Sequence, residues 1–391
     1  MSAYSEPIKT AIFLFPFLAL AISGIFLIYE YRKYGTFLLR RAIILYSFVF
    51  YLLCAYFLVI LPLPPRSEVA QYTGPYYELR PFYFVVNFMK ETVLNLHDPS
   101  TYVPALKQSI VLEPLFNVLL VLPFGVYLRY FYKFTLKKTV IASFLLSLFF
   151  ELTQLSGLYF IYPRPYRLAD VNDLITNTFG GLLGYWITPL FTFLLPTRAE
   201  LDEAAYQKGQ SVSLLRRMVA WGIDWIVIGL AERLLQFGLS FIPAYRVWAA
   251  NYSDLVSHLW FFVMVFLVFM VLPFITNGQT FGKKVVRIRI VEKKREHISL
   301  RALVVRYGYL YFLYGLISWY MASASQLLNS DNRLLQVVAF ILYLLCLALL
   351  LLFIVSVCAT FIQKKRRLFY EKASHTYTIS TIQVQTSTKI K

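Results

Sequence analysis

Nine apolar runs, each about as long as a bilayer's hydrocarbon core is thick, constrain this chain more than any other feature. A core of about 30 Å takes about 20 apolar residues in helical form. Within it a lone segment must be a helix, because only a helix satisfies its own backbone N–H and C=O groups. The runs cover residues 11–29, 42–61, 110–128, 139–158 and 174–195, then 218–239, 259–276, 302–321 and 334–362. The chain is 59% hydrophobic and only 15% charged, against about 45–50% and about 25% in a soluble domain. The expectation is an all-α integral membrane protein with about nine transmembrane helices. The first run does not read as a removable leader: its only preceding base is Lys9, and it continues past Ser23 and Gly24 to Tyr29.

Basic residues orient these helices. Lys and Arg number 38 against 20 for Asp and Glu, a formal net charge of +18. Of the 38, 27 fall in alternate connections: residues 32–41, 129–138, 198–217, 283–301 and the C-terminal tail. Only 10 belong to the other side, counting Arg233 toward the outer end of the sixth run, and Arg306 sits inside the eighth run. Cytoplasmic connections hold the excess of Lys and Arg, so the N-terminus is expected outside and the C-terminus inside, which an odd number of spans requires. The same distribution accounts for the basic charge without nucleic acid as a partner. Cys54, Cys346 and Cys358 all lie in apolar runs and offer neither a disulfide framework nor metal-ligand spacing.

Polar sequence divides the chain five spans to four. Residues 197–212 read as a cytoplasmic linker between a first membrane domain, 1–196, and a second, 213–380, with a polar tail at 381–391. The outer segment 62–109 is rich in aromatics, and residues 82–96 read as an amphipathic helix along the headgroup layer. On the inner side, Val286, Ile288 and Ile290 alternate with Arg287 and Arg289, which predicts a small cytoplasmic β-hairpin. No internal repeat is visible, which argues against an inverted-repeat transporter.

Charged and polar side chains inside the apolar runs mark the candidate sites, since a carboxylate at depth costs about 2.5–3.5 kcal/mol unless paired or solvated. Glu151 and Gln154 share a face of the fourth run, and Arg164, Arg167, Asp170, Asp173 and Asn177 follow closely. Glu151, Gln154, Arg167, Asp170, Asp173 and Asn177 are expected to converge near the outer interface as a ligand site. The plainer readings are that Asp170 and Asp173 cap the fifth helix and that Glu151 is a buried partner of Arg167. Gly180 and Gly184 form a small-xxx-small face expected to pack the fifth helix on the fourth. In the second half, Arg217 and Asp224 share a helix face, and Arg306 is the expected partner of Asp224. A salt bridge locking two helices is the plain reading there, and an ion or proton pathway the functional one. The run from Gly278 to Lys284 lacks the spacing of a phosphate loop, and the four histidines form no zinc pattern. No catalytic constellation, metal site or cofactor is expected, and the chain does not read as an enzyme.

The run Glu151-Leu-Thr-Gln154, with Arg167-Leu-Ala-Asp170-Val-Asn-Asp173 continuing through Asn177 to Gly180 and Gly184, resembles the signature of the VanZ-like family. Asn117, Pro123 and Gly125 resemble that family's third-span motif. From residue 213 onward the chain resembles an RDD domain. Arg217 and Asp224 fit its first element, Gly278-Gln-Thr-Phe-Gly282-Lys283 its second, and Arg306 continues it. Glu371 stands where that family usually has Asp, one methylene longer. The VanZ-like resemblance implies a multi-pass protein of a Gram-positive bacterium's plasma membrane, linked to resistance to teicoplanin, a lipid-bearing glycopeptide. Its expected partners are membrane lipids and a lipid-linked cell-wall precursor or lipoglycopeptide at the outer face. The RDD resemblance implies the alternatives of cation–proton exchange or a membrane scaffold. In the latter, residues 283–301 and Lys364–Arg367 would touch anionic lipid at about 1 kcal/mol per basic residue. A homo-oligomer or envelope protein partners stay open.

Overall fold

Helix occupies most of each of the nine apolar runs over its described residues. The computed structural model describes residues 2–382 except 194, 294, 313–314, 316, 318–319, 322–327, 329–331 and 363–367. Part of the eighth expected span, the basic run Lys364–Arg367 and most of the polar tail therefore lie outside the described residues. The long helices are α1 (Ser2–Tyr34), α2 (Leu39–Ile60), α4 (Ser109–Tyr130), α5 (Leu136–Leu155) and α6 (Val171–Thr192). Strand β1 (Tyr77–Glu78), helix α3 (Tyr83–Glu91) and strand β2 (Ala169–Asp170) fill the connections, and α7 (Arg198–Gly209) follows. The second half begins with α8 (Leu214–Leu239), α9 (Pro243–Asn251) and α10 (Ser253–Phe266), the last running through a wide turn to Ile275. Then come α11 (Phe281–Val285), β3 (Ile288–Glu292), α12 (Leu300–Tyr307), α13 (Arg333–Ile362), α14 (Phe369–Ala373) and β4 (Thr376–Ser380).

Six of the described helices are long and apolar enough to cross a membrane, or seven if the bent pair α8–α9 counts as one span. Helix α6 is 22 residues long, enough for a crossing, but is not among them. Asn172, Thr176, Asn177, Gly180, Gly181 and Gly184 dilute its hydropathy, and all are buried against protein. The chain forms two compact units, residues 1–24 with 38–202, and residues 25–37 with 203–391. The expected linker carries α7, and the division falls within that helix.

In the first unit, the glycines bring α6 into backbone contact with α4. A Cβ on Gly180 would lie 2.2 Å from the Val118 carbonyl oxygen, and one on Gly184 2.0 Å from that of Leu122. Gly125 answers from α4, its Cβ position 2.1 Å from the carbonyl oxygen of Gly181. The small-residue face was expected to meet the fourth apolar run. It meets the third instead, because Gly125 offers a matching notch there, and α5 touches α6 at Ser143, beside Gly181. Residues 82–96 do contain a helix, α3, but only over Tyr83–Glu91.

In the second unit, α8 buries Arg216, Ala220, Asp224 and Ile228, one residue per turn on a single face. The alternation of Ile288 and Ile290 does make a strand, and both side chains are fully buried. The expected local hairpin is corrected: β3 pairs antiparallel with β4, Ile288 opposite Ser380 and Glu292 opposite Thr376. Arg287 adopts a left-handed φ of 54° and a helix precedes it, so no neighbouring strand is available locally.

Candidate functional site

The end of α2 supplies one wall of a cavity in the first unit. The last carbonyls of a helix lack intrahelical partners, and here side chains from elsewhere bind them. Gln154 donates to the Val59 oxygen at 3.2 Å and Tyr166 to the Ile60 oxygen at 3.2 Å. Arg167 spans two of them, donating to Val59 O at 3.0 Å and Leu61 O at 3.1 Å. The opposite wall is the start of α6. Asp170 is its N-cap, accepting from the Asn172 N–H at 2.8 Å, and Asp170's own N–H donates to Glu151 Oε2 at 2.9 Å. Asn117 on α4 donates to Asp173 Oδ1 at 2.7 Å, and Asn177 donates to Ser147 on α5 at 2.9 Å.

Between these walls lies a cavity of about 710 Å³. Glu113, Asn117, Glu151, Gln154, Arg167, Asp170, Asp173 and Asn177 line its polar side, and Leu58, Val59, Phe116, Leu119, Leu120 and Phe150 its apolar side. Glu151, Gln154, Arg167, Asp170, Asp173 and Asn177 thus all face one space. Arg164 does not: it donates to the Gly74 oxygen and stacks on the Tyr76 ring at 4.6 Å. Arg167 binds the α2 carbonyls, not Glu151, so the direct Glu151–Arg167 pair is corrected. Asp170 caps α6 as the plainer reading had it, while Asp173 is held by Asn117.

Four carboxyl groups and one guanidinium, already bonded to two carbonyls, make the polar wall chiefly an acceptor surface. Asn177 is only 3% exposed, and among the described residues its Oδ1 has no hydrogen-bond partner. A buried acceptor of that kind costs about 1–3 kcal/mol unless something donates to it. Among the described residues, no three of His, Cys, Asp and Glu stand close enough to hold a metal ion. The arrangement suits a ligand bearing several N–H or O–H donors beside an apolar part.

In the second unit the expected partners are exchanged. Asp224, fully buried, accepts from the Thr280 hydroxyl and the Gly282 N–H, each at 2.6 Å, with Lys283 3.9 Å away. Arg306 instead pairs with Glu371 at 2.9 Å, and Arg217 takes the other carboxyl oxygen at 2.9 Å. The Asp224–Arg306 pair is therefore corrected. The N-terminus of α11 already supplies what Asp224 needs, a backbone N–H aimed at a carboxylate. Burial pushes the Glu371 carboxyl up, but Arg306 and Arg217 outweigh it and hold it below the ordinary range. The longer Glu side chain also accepts from the Leu368 N–H at 3.1 Å and the Thr378 hydroxyl at 3.3 Å, tying α14 to β4.

Three structural contributors were not singled out from sequence. Glu113 reaches the cavity from the second turn of α4, where a carboxylate near the start of an apolar run was the available signal. Asn172 accepts from the Tyr83 N–H at 3.0 Å and donates to Asp170 and to Arg80 O, fastening α3 to the cavity rim. Arg216 is fully buried and donates to the carbonyls of Gly209, Val286 and Arg287, each at 2.8 Å. It was passed over because its neighbour Arg217 fits the motif position.

Residues 48–192 match the family model described as VanZ/LLP1, and residues 211–375 match that of the RDD family. No curated protein and no solved structure matches the chain. The first match contains every residue that lines the cavity, and the second contains the Arg217–Glu371–Arg306 cluster.

Proposed function

The chain joins an N-terminal VanZ/LLP1 domain, a domain associated with antibiotic resistance, to a C-terminal RDD domain in one multi-pass membrane protein, and from that premise we propose that it binds a lipid-linked or lipidated ligand at the outer face of a bacterial plasma membrane. The binding lowers sensitivity to lipoglycopeptides such as teicoplanin. The observation that carries the reading is the cavity of about 710 Å³ with an acceptor-rich wall facing an apolar one. Pockets for small ligands run to about 300–1,000 Å³, so it accepts one headgroup, sugar or amine-bearing unit and leaves an attached chain against lipid. Charge counting assigns this end of α5 and α6 to the outside, where such antibiotics and their targets meet. Carboxyl groups and the free Asn177 acceptor favour an amine- or hydroxyl-bearing ligand over a phosphate.

The test is antibiotic susceptibility of a deletion strain complemented with the wild type, Glu151→Gln or Asp173→Asn, with teicoplanin and vancomycin side by side. The expected result is sensitisation to teicoplanin that only the wild type reverses. Unchanged susceptibility in the deletion strain, or full rescue by both variants at equal expression, would remove the site from this role. The rival reading, cation–proton exchange by the RDD half, rests on Arg217, Asp224, Arg306 and Glu371. The pairing of Arg217 and Arg306 with Glu371, and of Asp224 with Thr280 and Gly282, supports a lock between elements more than a path. Ion flux in proteoliposomes that Asp224→Asn abolishes would reverse that preference.

A further inference from the structure

We propose that the second unit holds one small monovalent anion of halide size, bounded by Arg217, Lys283, Arg306 and Tyr307. These side chains line a cavity of about 60 Å³. A water molecule needs about 10–15 Å³ by this kind of measure, so the space fits one ion with little accompanying water. Charge decides its sign. Three cations, Arg217, Lys283 and Arg306, stand against two carboxylates, Asp224 and Glu371. One oxygen of Glu371 is taken by each arginine, and the two of Asp224 are taken by Thr280 and Gly282. Each cation has an ion-pair partner, but Glu371 serves two arginines, so these five groups carry one net positive charge, which is costly when buried. A single negative charge balances it, whereas a dianion overshoots and a cation meets three like charges.

The donors agree. Arg306 is 4% exposed and Tyr307 2% exposed, yet among the described residues the Arg306 Nε–H and the Tyr307 hydroxyl have no hydrogen-bond partner. The hydroxyl can donate and the Nε–H can do nothing else, so an anion satisfies both, whereas a cation leaves the Nε–H unsatisfied. The Lys283 ammonium, 3.9 Å from Asp224, lies 5.6 Å from the Tyr307 ring centre and 5.8 Å from that of Phe269, which places a positive charge at the cavity wall.

The experiment is thermal unfolding of the purified full chain in detergent, with sodium chloride exchanged for sodium gluconate at fixed ionic strength. A saturable rise in Tm with chloride and none with gluconate is expected. Tyr307→Phe keeps the ring packing and removes one donor, so the half-saturating chloride concentration should rise about fivefold. Lys283→Gln brings the net charge of the cluster to zero and should abolish the chloride response. Equal melting in the two salts, an unaltered chloride response in Lys283→Gln, or stabilisation by phosphate with none by chloride would overturn the assignment.

Discussion

Glu371 holds the charge balance of the second unit because it is the fully buried acceptor for two arginines at once. Removing one member of a buried ion pair leaves the other uncompensated and typically costs about 3–5 kcal/mol. Glu371→Gln is therefore expected to lower the thermal midpoint of the detergent-solubilised protein by that order of free energy. The pH dependence follows from the carboxyl being held below its ordinary range. Its contribution is complete above the unfolded carboxylate pKa of about 4.3 and is lost as pH falls through the lower folded value. The gap between wild type and Glu371→Gln should thus stay constant near neutrality and close only below about pH 4. A gap that closed between pH 7 and 5 would contradict this. Asn172 is the counterpart in the first unit, buried with both ends of its amide used. Asn172→Ala should cost about 1–3 kcal/mol, and limited proteolysis should show faster cleavage near Arg80.

Close approach between elements depends on glycine at α4 and α6. At Gly184 an added methyl meets a backbone oxygen at 2.0 Å, which a side-chain shift cannot relieve. Overpacking of this kind costs about 1–3 kcal/mol, more than the roughly 1 kcal/mol that Ala gains over Gly in a helix. Gly184→Ala is expected to destabilise, and Gly222→Ala, on α8 with nothing within 4 Å of its Cβ position, to be neutral or stabilising. Equal melting shifts for the two would refute the packing account. The helices were legible in the sequence because the cost of bare backbone in lipid makes a local signal of hydropathy. Strand β3 was legible for a similar reason, its buried Ile288 and Ile290 alternating with arginines. Its partner was not, since period-two alternation says which face is buried and nothing about which distant segment completes the ladder. Likewise, the six cavity residues were visible as polar groups in costly places. The pairing of Asp224 and Arg306 failed because opposite sign cannot choose between two carboxylates, and the free N–H groups of α11 decided it.

At the scale of the whole molecule, the sequence boundary near 197–212 and the two units differ in one respect. Residues 25–37, in and just after α1, belong with the second unit. Tyr31 packs there with Ala220, Val286 and Ile288, and a Cβ on Gly209 would touch the Tyr34 oxygen at 1.8 Å. A fragment of residues 203–391 expressed alone should therefore be less stable than the same fragment co-expressed with residues 1–202, as judged by detergent-resistant yield. The central claim is that the VanZ-type half binds an amine- or hydroxyl-bearing lipidated ligand in its acceptor-lined cavity. Its most direct test is calorimetric titration of teicoplanin, with non-lipidated vancomycin as control, into the full chain in nanodiscs. Saturable teicoplanin binding that Glu151→Gln and Asp173→Asn each weaken about tenfold or more, with vancomycin weak throughout, is the expected result. Wild-type affinity in both variants, in protein that melts as the wild type does, would contradict it.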